Sequence, residues 1–427
     1  VAKPMSAVLC WLVSRLLVIL LATTATEHRA TGDVSYYFAS LARLRKVGVG
    51  RTMIEYPLPV VWLLQLPYAI GRAVGGGLTT FRLVFVLAML CLDAAFSILL
   101  WRCTGRRWSA AIVFWLGFAV AIGPLIYFRF DLVPSVLAGA ALLAMRRRPG
   151  LSGVLVAAAA AIKLWPAVLV GSLLRGAGRR RRMLAGFALA GSGLFVTAFL
   201  AAGWQRLLSP LRWQAERGLQ IESVWATPLM ILRLADPLTW RSHFSAFHAF
   251  EVSGPGVEVL LRLSSIATVA GILLIILLAV RGLAGRNRAD SPSIDRHTAG
   301  WLMVASVLIM IISDKVLSPQ YLIWLAGPVA ALLVIRAAEQ RRRGGGIALV
   351  CAVLVLALLT QAVFPISYRG LHGSALDGSL SLWATALLAM RNGGLVIVTA
   401  VAVRMAWHRG CTHTASTVDG QPDSVPS

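Results

Sequence analysis

The chain has 427 residues, 58% of them hydrophobic and only 14% charged, with a mean hydropathy of +0.77 and a formal net charge of +24. A soluble domain carries about 25% charged residues, so an ordinary soluble globular protein is excluded. The arginines sit in short clusters between apolar runs, the positive-inside pattern of a membrane protein, which explains the charge and argues against nucleic acid as a partner.

Apolar runs near bilayer length recur along the chain and predict an all-α polytopic integral membrane protein with about 12 transmembrane helices. Residues 5–22 form the first span; no small-residue cleavage site stands out, so it is expected to be retained. Lys3 favours a cytoplasmic N-terminus. Residues 60–70 are apolar but short, with Pro57 and Pro59 before them and Pro67 inside, and are expected to be a surface or re-entrant helix. Spans follow at 81–101, 110–126 and 132–145. A tight hairpin of two short spans covers 151–174, broken at Lys163-Leu164-Trp165-Pro166. Span 184–202 leads to a second long loop, 203–255. The remaining spans are 257–280, 301–312, 321–335, 347–363 and 379–403, the last interrupted by Arg391. Residues 1–410 make one transmembrane domain, and 411–427 are a polar tail expected to be disordered. With 60–70 not crossing, the arginine clusters 102–107, 146–148, 175–182, 281–296, 336–343 and 404–409 all fall on one side, the cytoplasmic one.

The stretch 31–59, TGDVSYYFASLARLRKVGVGRTMIEYPLP, lies just past the first span and holds Asp33 and Glu55. Val34, Tyr37, Phe38, Leu41 and Leu44 recur at helical spacing, predicting an amphipathic helix on the membrane surface. Asp33 is a candidate base at the membrane–water boundary; its simpler reading is a helix cap. With this topology Asp33, Glu55, Asp131, Glu216, Glu222 and Asp314 gather on the outer side, as do Lys163, Arg217, Lys315 and Arg391. Ionisable groups at such depth are costly and usually functional. Cations would hold an anionic lipid phosphate while a carboxylate takes a proton. Simpler readings stand beside these: Lys163 snorkelling, Arg129–Asp131 as an exposed ion pair, Glu216-Arg217 as a helix end, and Asp314-Lys315 as a loop salt bridge. Asp93, inside a span, is expected to serve helix packing. The seven histidines are dispersed and receive no role. Five scattered cysteines show neither disulfide nor zinc spacing, and Walker A, GxSxG and HExxH motifs are absent.

Several blocks carry a resemblance. They are Gly32-Asp33, Glu55-Tyr56-Pro57, Phe130-Asp131-Leu132-Val133-Pro134, Gly153-Val154 through Ala161-Ile162-Lys163-Leu164-Trp165-Pro166, Arg217-Gly218-Leu219-Gln220-Ile221-Glu222-Ser223, Lys315-Val316-Leu317-Ser318-Pro319-Gln320-Tyr321 and Arg391-Asn392. By these the chain resembles the actinobacterial membrane glycosyltransferases of family 87, which have the GT-C fold. The resemblance implies an inverting transfer of mannose from a polyprenyl-phosphate-mannose donor, on the outer face of the plasma membrane, to a glycolipid acceptor. Phosphatidylinositol mannosides, lipomannan and lipoarabinomannan are the acceptors it suggests, with an α-1,2 linkage; arabinofuranose from a decaprenyl-phosphate donor is the alternative. Outside the class, a lipid or sugar transporter is the rival. By the resemblance Asp33 is the general base. From charge and position, Lys163, Lys315, Arg217 and Arg391 would bind the donor phosphate, and Glu55, Tyr56, Asp131, Glu222, Gln320 and Tyr321 the sugar or acceptor. No metal ligand is assigned, although the gathered carboxylates leave a divalent cation open.

Overall fold

The computed structural model describes residues 4–24, 31–174, 177–284, 292–338, 344–373 and 378–408. Eight of the helices there are long and apolar enough to cross a membrane, and three shorter apolar ones accompany them. The long ones begin with α1 (Pro4–Leu21), α4 (Leu78–Cys103), α10 (Ala177–Glu216) and α12 (Val257–Ala284). They continue with α13 (Pro292–Ser313), α14 (Ile323–Ala338) and its leading turn, α15 (Gly344–Gln361) and α17 (Leu382–His408). The shorter ones are α5 (Ala110–Ile122), α7 (Leu132–Ala144) and α8 (Pro149–Ile162). The protein is therefore an all-α polytopic membrane protein with one addition: a two-stranded antiparallel hairpin, β1 (Arg241–Phe244) and β2 (Phe250–Ser253), in the second long loop.

Burial sorts the helices. Every residue of α14 from Ile323 to Arg336 is buried, and most of α13 with it, so these two form the centre. In contrast α1, α10 and α12 expose Leu9, Leu12, Leu189, Leu200, Val259 and Ile266, an apolar outer band suited to lipid and not to water. Helices approach closely where residues are small. Ser135 of α7 donates to Ile323 O at 2.6 Å and accepts from Gly327 N at 2.9 Å. A β-carbon at Gly327 would lie 1.9 Å from Ser135 O, so only glycine permits this crossing. It brings the start of α14 against the start of α7, where the site forms.

The hairpin at 151–174 turns at Lys163 as expected, but its second limb is not a regular span. It is a 3-10 turn, Trp165–Leu169, followed by the single helical turn α9 (Val170–Leu173). The chain nevertheless runs back the length of α8, because α8 and α10 lie parallel: Gly150 meets Arg182 and Gly186, and Ala157 meets Gly191. Among the described residues eleven such helices, eight long and three short, thus stand where twelve spans were expected. The region expected to lie on the surface at 60–70 is α3 (Leu58–Ala73), 16 residues with Pro67 inside, and it is not among the helices of spanning length. Between α5 and α7 the expected span 110–126 stops at Gly123, and α6 (Leu125–Phe128) is a separate turn. The polar tail lies outside the described residues.

Asp93 of α4 is fully buried and accepts from Arg15 (2.8 Å), Trp11, Trp115 (2.6 Å) and Tyr127 (2.9 Å). A paired carboxylate with its hydrogen bonds supplied by the protein ties α1 and α5 to α4, the packing role expected for it. The arginine-rich end is opposite the site: Trp108 reaches Ser6 at the start of α1, and Arg281 lies 4.0 Å over the Trp407 ring near the end of α17.

Candidate active site

The amphipathic helix predicted after the first span is α2 (Gly32–Val47), which buries Val34, Tyr37 and Leu41. Asp33 is in its first turn but does not cap it; Thr31 holds the cap position, and neither residue's side chain bonds the backbone there. Instead the Asp33 carboxylate lies 2.9 Å from Arg129 Nη1. Arg129 is extended backbone between α6 and α7, and its side chain is buried. Two residues on, Asp131 accepts from Lys163 Nζ and from Trp324 Nε1, both at 2.6 Å. Arg129 and Asp131, expected as an exposed ion pair with each other, are therefore buried and bonded to different partners.

Lys163 ends α8 in extended backbone and does not snorkel to water. Its ammonium is boxed by the rings of Tyr56 (5.9 Å), Phe130, Tyr321 and Trp324 (each 5.3 Å), with Tyr321 stacked on Trp324 and Trp324 on Trp165. The ring faces and Asp131 together offset the cost of removing this cation from water. Only 12% of the Lys163 side chain and 2% of Asp131 reach solvent, against 36% for Asp33. Asp33 is thus the carboxylate of this cluster open to a reactant. Burial raises its carboxyl above the ordinary aspartate range; Arg129 opposes that, Asp131 adds to it, and Lys163 and His248 oppose it.

Glu55 stands beside this cluster. It accepts from Tyr36 OH at 2.5 Å, and burial raises its carboxyl while Tyr36 opposes. Its loop is pinned by buried Arg206 of α10, whose guanidinium donates to Thr52 O, Met53 O and Tyr56 O, and by Ser209 donating to Ile54 O. Arg206 belongs to a second limb of α10, set off by Gly203 (φ 70°, ψ −178°), a kink that falls where the span was expected to end.

A second cationic group lies where α10 ends and α12 begins. Arg217, Lys315 and Arg262 line a cleft of about 740 Å³ with Glu216, Glu258 and the apolar Leu261 and Ile266. Lys315 donates to Ala215 O at 2.8 Å, and burial lowers its ammonium, with Asp314 opposing and Arg217 adding. Asp314 accepts from Gln214 and Val316 N, and not from Lys315. Tyr321 lies between the two groups, within electrostatic reach of Arg217 and Asp314 on one side and Asp131 on the other. Gln320 is half-buried in the turn before α14.

Two expected site residues are closed on each other. Arg391 of α17 and Glu222 are 0% and 1% exposed and bonded to each other at 2.8 Å. Arg391 also donates to Glu222 O and Asn392, while Asn392 donates to Glu222 O, Ser223 O and Thr227. A cation closed on a buried carboxylate offers nothing to a phosphate, so this pair anchors the second loop to α17. Nor does Arg391 interrupt its helix. Arg129, Trp324 and the Tyr36–Glu55 pair were not assigned roles from sequence. The FRFDLVP run contains Arg129, but nothing in it indicates that Asp33, on another element, is its partner. Among the described residues no group of three His, Cys, Asp or Glu side chains is placed to hold a metal ion.

The model of glycosyltransferase family 87 matches residues 56–291, more than half of the chain. The chain belongs to glycosyltransferase family 87. Compared with curated proteins it gives no match. The family-87 match contains Tyr56, Arg129, Asp131, Lys163, Arg217 and Glu222, whereas Asp33, Glu55, Lys315, Gln320, Tyr321 and Arg391 fall outside it. Membership and the apolar helices together make this a membrane glycosyltransferase.

Proposed function

We propose that this family-87 protein is an inverting GT-C mannosyltransferase. It moves mannose from polyprenyl-phosphate-mannose to a lipid-linked mannoside, in an α-1,2 linkage, on the outer face of a bacterial plasma membrane. Phosphatidylinositol mannosides, lipomannan and lipoarabinomannan are the acceptor class. The observation that carries the reading is Asp33: an open carboxylate held by Arg129, beside a buried Lys163–Asp131 pair and at the same end of the bundle as a cleft lined by cations.

The chemistry follows from those groups. Asp33 accepts the proton of the acceptor hydroxyl as its oxygen attacks the anomeric carbon. The bond from that carbon to the phosphate oxygen breaks, and its electron pair leaves with the lipid phosphate. A phosphate leaving group is already ionised, so it needs cations more than a general acid. Arg217 and Lys315 fit this task better than Lys163 and Arg391, whose charges are met inside the protein. Arg129 favours the ionised form of Asp33 against the effect of burial, and aims it. Tyr56, Glu55, Asp131, Gln320 and Tyr321 remain the surroundings of the sugar, with Asp131 acting through Lys163.

The test is transfer from radiolabelled polyprenyl-phosphate-mannose to a mannosylated phosphatidylinositol in membranes, native chain beside Asp33→Asn. Transfer by the native chain, reduced about a hundredfold or more in the variant, is expected for a lost general base. Activity surviving in Asp33→Asn would move the base to Glu55. Transfer from decaprenyl-phosphate-arabinose but not from the mannose donor would replace mannose by arabinofuranose. Movement of intact lipid without transfer would favour the transporter reading.

A further inference from the structure

The β1–β2 hairpin stands over α2 at the site end, and nothing in the proposed chemistry uses it. Two strands alone are marginal in water, yet this hairpin is fixed on three sides. Its inner strand extends the second loop, with Ile221 N donating to Phe250 O at 3.1 Å and Val252 N to Leu219 O at 2.9 Å. The Phe250 ring stacks on His372 at 4.1 Å. At the tip, Phe247 packs edge-on against Trp213 of α10 at 5.0 Å.

That anchoring holds an unusual residue. His248 has φ +55°, a left-handed conformation uncommon for any residue but glycine. Strained positions persist where the surroundings enforce them, and they concentrate at ligand clamps. The exposed His248 ring lies 5.9 Å from Tyr36 and 6.3 Å from Phe244, which is itself 60% exposed. Tyr36 donates to Glu55 and is three residues from Asp33 on α2. Tyr36 and His248 thus stand near the open carboxylate, Phe244 lies against His248, and the Tyr36–Glu55 hydrogen bond is at their foot. His248 is within electrostatic reach of both Asp33 and Glu55.

We infer that Tyr36, Phe244 and His248 form a carbohydrate platform on which the acceptor sugar stacks, with Glu55 taking its hydroxyl hydrogen bonds. The C–H face of a pyranose is weakly positive and lies well against the negative face of an aromatic ring. Its hydroxyl edge needs acceptors such as a carboxylate and a phenol oxygen. The pinned hairpin presents the rings in place, so little ordering cost remains at binding. The word acceptor rests on the proposed transfer reaction; the stacking site itself does not.

The test uses methyl α-D-mannopyranoside, with methyl α-D-arabinofuranoside alongside, titrated against the full chain in nanodiscs by saturation-transfer NMR. Native protein is expected to bind one of these glycosides, with transfer strongest to the protons of one ring face. His248→Gly and His248→Asn keep the left-handed backbone and remove the ring. Phe244→Leu keeps an apolar side chain, and Phe244→Trp keeps a ring. The ring-removing variants should weaken binding about tenfold, and Phe244→Trp should retain it, all with the native melting temperature. In the transfer assay the same loss should appear in the acceptor KM more than in kcat. Binding that Phe244→Leu preserves as well as Phe244→Trp would overturn the platform and leave Phe244 a membrane-interface side chain. Equal affinity in the native and His248 variants would overturn it too. Native protein that binds the glycoside on one face but transfers no sugar would support the platform while removing the mannosyltransferase reading.

Discussion

Asp33 derives its chemistry from two opposing influences. Enclosure favours the neutral carboxyl, and Arg129 at 2.9 Å favours the carboxylate. A general base works only when deprotonated, so transfer is expected to rise with pH through the Asp33 titration and level off above it. Because burial dominates, that rise should lie above the ordinary aspartate range. Arg129→Gln removes the cation that resists protonation and should move the acid limb of kcat/KM to still higher pH. A pH–rate profile of the two proteins checks this; an unmoved limb would mean that another group sets it. Asp33 was visible in the sequence as a carboxylate just past a span. Its partner was not, because Arg129 is 96 residues away and the pair exists only once α2 folds back over the α6–α7 junction.

At the scale of elements, the interior charges hold pieces together. Arg391→Met would leave Glu222 buried without its counter-ion, in a place where burial already raises its carboxyl. A loss of about 3–5 kcal/mol is expected, read as a lower melting temperature in detergent. Adding Glu222→Met should restore much of it, since two apolar side chains leave no unpaired charge. A phosphate-binding Arg391 would instead show native stability and a raised donor KM. The amphipathic α2 was legible because its apolar residues recur with helical period. The hairpin was not. Its strands have four residues each, and β2 is held by hydrogen bonds to the chain at 219–221, a pairing that no local pattern indicates.

For the whole molecule, the two ends of the bundle differ in kind: arginine clusters at one, paired and cleft-lining charges at the other. The proposed orientation puts the second end outside. With the native cysteines replaced by serine, Ala246→Cys in the hairpin should react with an impermeant maleimide on intact cells. Arg107→Cys should react only after lysis. The reverse pattern would put Asp33 in the cytoplasm, where nucleotide-sugar donors are at hand and a lipid-borne sugar is unnecessary.

Composition and apolar period alone determined that the chain is a helical membrane protein, where most of its helices lie, and that its carboxylates cluster in the loops. These are properties of consecutive residues meeting lipid or water, and each is local. Tertiary structure decided which charges are available for chemistry. Lys163, Arg391, Asp131 and Glu222 look alike in sequence to Asp33, Arg217 and Lys315. Packing closes the first four on partners from distant elements and leaves Asp33 and the cleft cations facing open space. A charge removed from water must find a counter-charge or a set of hydrogen-bond partners wherever the fold supplies them, and no local pattern indicates where that will be.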